Sequence, residues 1–212
     1  MFDGGVDVYD PEEKVFVNLF DQKNNISKGL DRLAIPTIFI DSHDNVWVGT
    51  WESGLFLLKN KSNKFVNINM TSKNSVFKSN RIMSFDEDSN GTIWIGTFLS
   101  GLYSYDPVKE IFKHHDSSEF KKYNINTSNI RKVLVDHDDN IWLGSRTGLF
   151  KVESSLNDTF KVSSLNKEMN ADLEANFNNS IIPSIVFSIF EDSKNNLWIG
   201  TLGDGLSKYN IE

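Results

Sequence analysis

The chain has 212 residues, 39% of them hydrophobic and 12% aromatic, which is enough apolar material for a folded core and excludes an intrinsically disordered segment. Its 22 basic and 29 acidic residues leave a formal charge of −7, which opposes a phosphate backbone, so no nucleic-acid partner is expected. The absence of Cys removes disulfides, thiolate zinc sites and Cys nucleophiles together, and leaves the compartment open.

The start, Met1-Phe-Asp-Gly-Gly5, has neither the basic start nor the apolar stretch of a secretion signal, and no segment approaches the ~20 apolar residues needed to span a bilayer. The chain as given is therefore expected to carry neither.

One phrase recurs along the chain. Trp47, Trp94, Trp142 and Trp198 sit in NVWVGT, TIWIGT, NIWLGS and NLWIGT, at successive spacings of 47, 48 and 56 residues. Asp41, Asp88, Asp136 and Asp192 each stand six residues before the Trp. Gly49, Gly96, Gly144 and Gly200 each stand two residues after it, followed by Thr or Ser. A second glycine, always followed by Leu, comes at Gly54, Gly101, Gly148 and Gly205, and a Phe falls eighteen residues after the Trp at Phe65, Phe112 and Phe160.

In chain order, residues 1–20 read as a partial repeat, because Gly4 to Asp10 matches Gly101 to Asp106 and Phe16 falls in step. Residues 33–70 form the first full repeat. Its continuous apolar run Ile38 to Ile40 predicts an inner strand buried on both faces, as does Val133 to Val135 later. The Asp-rich turn from Asp41 to Asn45 leads to the Trp strand, a Gly loop to a third strand at Leu55 to Leu58, and Phe65 marks a fourth. Residues 80–116 and 129–163 repeat the scheme, a longer connection spans about 166–183, and 184–212 form a second partial repeat.

A period of this length with four short strands predicts an all-β fold of four-stranded antiparallel β-propeller blades, about four in number, with almost no helix. Starting mid-repeat and ending after a third strand, the chain is expected to be part of a larger ring, with four-bladed closure as the minority reading. Blades lacking a neighbour should expose apolar surface and favour self-association.

The pattern D-x-x-x-N-x-W-x-G-T followed by G-G-L-x-x-Y-D resembles the two-component regulator propeller repeat. Asp88, Asn90, Gly91, Trp94, Gly96, Thr97, Gly101, Leu102, Tyr103, Tyr105 and Asp106 match it most closely, and only about 166–183 lies outside it. The Trp142 repeat departs from it, with Ser145 for Thr and one residue fewer before Gly148. The resemblance implies a segment of the periplasmic sensor region of a hybrid histidine kinase that binds a carbohydrate and signals inward. It also implies that the motif residues serve the fold. Remaining blades and a kinase module would then belong to a parent chain, on the periplasmic side of a membrane, with possible dimerisation through that parent. No cofactor and no catalysis by this chain are expected.

Asp86 to Gly91 matches the start of a calcium loop, but position twelve is Thr97 where a bidentate Glu is needed, so turn chemistry is preferred and no metal is expected. His43 and His137 fall in turns and His114 and His115 on a strand, without metal-ligand spacing; solvated turn and edge positions are expected for them. The loops between second and third strands vary most and should share one end of the blades with the between-blade loops. They supply the candidate ligand residues Trp51, Glu52, Phe98, Arg146 and Asp204, joined from the between-blade loops by Arg32, Arg81 and Arg131, although Arg131 could fall inside its strand. Asn176, Asn178 and Asn179 come from the long connection. A small saccharide stacked on an aromatic and bonded by Arg, Asp and Asn is the expected ligand. A propeller enzyme (a lyase or glycan-acting enzyme) and a protein-interaction scaffold remain the alternatives.

Overall fold

A computed structural model describes residues 6–18, 29–30, 33–72, 75–116, 118–125, 129–155, 159–165 and 185–211. The chain packs as two compact units, Met1–Ile82 and Met83–Glu212.

In the first unit, strands β1 (Asp7–Asp10) and β2 (Val15–Asn18) form an antiparallel hairpin. A four-stranded antiparallel sheet follows, β3 (Thr37–Ile40), β4 (Val46–Gly49), β5 (Leu55–Leu58) and β6 (Val66–Ile68), in sequential order. Val48 and Phe56 face Val6, Leu30 and Phe65, with Leu33 and Ile35 packed alongside. These groups cover the middle strands but not the inner one. Ile38 and Ile40 are 50% and 62% exposed, so the expectation of an inner strand buried on both faces fails here.

The second unit holds two more four-stranded antiparallel sheets and a three-stranded one. Strands β7 (Ile82–Glu87), β8 (Ile93–Thr97), β9 (Gly101–Asp106) and β10 (Ile111–His114) make the first; β7 begins at the boundary residue. A short helix α1 (Ser118–Lys122) leads to the second sheet, β11 (Ile130–Val135), β12 (Ile141–Ser145), β13 (Gly148–Ser155) and β14 (Thr159–Ser164). Strands β15 (Ile185–Glu191), β16 (Asn196–Leu202) and β17 (Leu206–Asn210) make the third. This is the all-β, four-stranded blade architecture read from the repeat.

The motif residues account for each hairpin. Asp41, Asp88, Asp136 and Asp192 accept a hydrogen bond from the indole N–H six residues on, at 2.8, 2.9, 2.7 and 2.8 Å. Their other oxygen takes the amide N–H two and four residues on, as in Asn90 (3.0 Å) and Thr92 (2.9 Å) with Asp88. One carboxylate thus closes the turn and fixes the Trp rotamer. The turn's left-handed position is held by Asp44, Gly91, Asp139 and Asn195, residue types that tolerate it. At the other end of the hairpin, the hydroxyls of Thr50, Thr97, Ser145 and Thr201 donate to the carbonyls of Gly54, Gly101, Gly148 and Gly205. The shorter loop of the Trp142 repeat is spanned by the same bond at 3.1 Å.

The first motif glycine exists for close approach between sheets. A Cβ on Gly96 would lie 2.7 Å from Ser84 Oγ and 2.9 Å from Ile130 Cγ2, and one on Gly144 would lie 2.7 Å from Val186 Cγ1. Between these sheets the backbone N–H of Val133 donates to Ser84 Oγ and that of Val135 to Asp86 Oδ2, both at 2.9 Å, which satisfies an inner edge that would otherwise be bare. Gly144→Ala is therefore expected to cost about 1–3 kcal/mol of stability by overpacking. Adding Val186→Ala should recover part of it, measured as a non-additive term in a double-mutant denaturation cycle. Full additivity would refute the contact.

Candidate functional site

Of the predicted ligand residues, Arg32 and the Asn176, Asn178 and Asn179 group lie outside the described residues. In the first unit, the Arg81 guanidinium sits 5.4 Å from the centre of the half-buried Trp51 ring, and the Trp51 N–H donates to the Ala34 carbonyl at 2.9 Å. The structure brings these two predicted residues together. Glu52 is exposed on the same loop.

In the second unit, the β8–β9 turn, the β12–β13 turn and the starts of β11 and β15 meet at one end of the sheets. The half-buried Phe98 lies on the first turn and the exposed Arg146 on the second. Asn129, buried beside β11, ties them: its side-chain oxygen accepts the Leu99 N–H at 2.9 Å, and its carbonyl accepts the Arg146 N–H at 3.3 Å. Asp204 is exposed in the β16–β17 loop.

Arg131 lies inside its strand and belongs to this end nonetheless. The register of β11 against β12 passes from Ile130 opposite Ser145 to Lys132 opposite Gly144, so Arg131 is the extra residue of a β-bulge. The β15 register shifts in the same way between Val186 and Ser188, which makes Phe187 the extra residue there. Arg131 thereby places its guanidinium 4.3 Å from the Phe187 ring centre and 5.9 Å from that of Phe98. Burial holds the Arg131 pKa below its ordinary value, and the nearby Arg146 charge lowers it further. Arg131 is offered by the sequence with the reservation that it could fall inside its strand, and Phe187 is not offered at all. The signal was present, because both stand five residues before the motif Asp, at Asp136 and Asp192.

The histidines divide differently from expectation. His115 is only 4% exposed, hydrogen-bonded through Nε2 to Ser104 Oγ at 2.9 Å and enclosed by Trp94, Phe120 and Phe160. It is a core residue, because α1 delivers Phe120 and β14 delivers Phe160 against it. His114 stacks on Tyr103 at 4.4 Å with Nε2 hydrogen-bonded to the Ser100 carbonyl. His137 is on an exposed turn, paired through Nδ1 with Glu191, whose carboxylate raises its pKa. In the calcium-like stretch, Asp88 is engaged by Trp94 and the turn amides, and Asp86 by Val135.

Sheets of this order, hairpins locked by an Asp–Trp pair and a loop-lined end define a β-propeller repeat protein. The family model described as two component regulator propeller matches residues 77–98 and 180–203. These two stretches hold the Trp94 and Trp198 phrases of the repeat. Among solved structures, it is similar to the extracellular domain assigned to the hybrid two component system BT4673 from B. thetaiotaomicron, with 22% identity, a TM-score of 0.70, and 97% of this chain and 24% of that one covered. The corresponding domain of BT3049 from the same organism gives 23% identity, a TM-score of 0.67, and 99% and 26% coverage. Virginiamycin B lyase from Staphylococcus aureus shares the fold at 13% identity and a TM-score of 0.56, covering 84% of this chain and 56% of the lyase. None of the curated proteins matches. The chain spans about a quarter of the length of the two-component structures. No helix among the described residues is long and apolar enough to cross a membrane.

Proposed function

We propose that this chain is a ligand-sensing propeller segment of a two-component sensor, exposed outside the cytoplasm, that binds a small saccharide and acts through a histidine kinase module of a parent chain. The observation that carries the binding assignment is the convergence of Phe98, Arg131, Arg146 and Phe187 at one end of the second unit's sheets, an aromatic and polar mixture of the kind small-molecule sites use. The Trp51 and Arg81 pair offers the same chemistry in the first unit. The two-component structures supply the sensor context. The chain binds its ligand and leaves it chemically unchanged.

Calorimetry against a panel of neutral and acidic oligosaccharides tests this. At least one should bind, and Phe98→Ala or Trp51→Ala should weaken it by about tenfold, the worth of one ring stacked on a sugar face, with the melting temperature little changed. No binding across the panel, or affinity unchanged in both variants, would remove the assignment.

A further inference from the structure

We propose that Arg131 and Arg146, framed by Phe98 and Phe187, form a subsite for an oxyanion, a carboxylate or sulfate group carried by the ligand. The proposal rests on the ligand-binding reading of that same strand end and adds the chemical class of what it takes.

Three observations converge on it. The Arg131 Nε atom is buried without a hydrogen-bond partner, the only buried side-chain nitrogen or oxygen so left among the described residues. An unpaired buried donor costs about 1–3 kcal/mol, and folded proteins keep few of them. Arg131 and Arg146 are also close enough to repel, yet among the described residues neither has a carboxylate partner, in a chain whose formal charge is −7. Among the ion pairs of the described residues, Asp106, Asp138, Glu153 and Glu191 are engaged by Lys109, His137, Lys151 and Lys161 and not by either arginine. Lastly, the arrangement is held in place: a bulge positions Arg131, two rings flank its guanidinium, and Asn129 fixes the backbone of Leu99 and Arg146. A planar guanidinium packed beside aromatic rings keeps its N–H fork for an oxyanion, and the incoming negative charge would relieve both the repulsion and the unpaired donor.

The test follows the Arg131 Nε–H resonance and the Leu99 and Arg146 amides of the ¹⁵N-labelled chain during titration with sodium sulfate or sodium acetate, each against sodium chloride at equal ionic strength. A saturable shift with sulfate or acetate but not chloride, weakened about tenfold in Arg146→Gln and lost in Arg131→Gln, is expected. The anion with the tighter response identifies the group. Arg146 is exposed, so its variant should fold even if that of Arg131 does not. A response indistinguishable from chloride, or one unchanged in Arg146→Gln, overturns the subsite. The two readings fail separately: saccharide binding without a sulfate or acetate response sinks the subsite alone, and an anion response without saccharide binding sinks the carbohydrate assignment alone.

Discussion

Asp136→Ala is expected to destabilise the second unit by about 3–5 kcal/mol, the range for stripping one partner from a buried, charge-assisted network. Asp136 is 4% exposed and Trp142 is fully enclosed against Val186, Ile189, Leu197 and Ile199. Removing the carboxylate orphans the Trp142 indole N–H (2.7 Å), the Asn140 side-chain amide (3.0 Å) and the backbone N–H groups of Asp138 (3.0 Å) and Asn140 (2.8 Å) at once. Asp138→Ala, two residues away on the exposed side of the same turn, is the control and should cost a few tenths of a kcal/mol. Urea denaturation followed by tryptophan fluorescence checks both. Equal midpoints for the two variants would show that the motif carboxylate contributes no more than an ordinary turn residue.

Stability should also fall in mild acid, below the ordinary histidine pKa. Burial pushes the His115 pKa down to about 3, with the Lys113 and His114 charges adding to the shift and Asp116 opposing it. The unfolded chain takes up this proton from its ordinary value of 6.5 downwards, whereas the folded chain resists until about 3. The unfolded state therefore binds more protons across that window. The His115 contribution is fully present above 6.5 and is lost as pH falls, by about 1.4 kcal/mol per pH unit, or about 3 kcal/mol at pH 4.5. His137 acts with the opposite sign: Glu191 raises its pKa, so its contribution is present at low pH and fades as pH rises through the raised value. Asp41 and Asp192, held below the ordinary carboxylate range, matter only in stronger acid. Replacing both members of the buried pair, His115→Phe with Ser104→Ala, should flatten the slope between pH 6.5 and 4.5. An unchanged slope would locate the acid sensitivity elsewhere.

The blade and its repeat are legible in the amino-acid order alone. Asp88 and Trp94, or Asp136 and Trp142, are six residues apart on one hairpin, and the Thr97 to Gly101 bond spans four, so the interactions that build each hairpin are local and leave a fixed spacing in the chain. The variable loops could be placed at one end for the same reason, because antiparallel strands alternate direction. The remaining features depend on residues far apart in sequence. Arg131 meets Phe187 where both are the extra residues of bulges in successive inner strands, and a spacing pattern that looks the same with or without a bulge cannot reveal it. His115 is a core residue rather than a solvated one because Phe160, forty-five positions later, closes over it, and Ile38 and Ile40 stay exposed although their run reads as buried. Burial is a property of what packs on a strand, and apolar content alone states only that a strand could be covered.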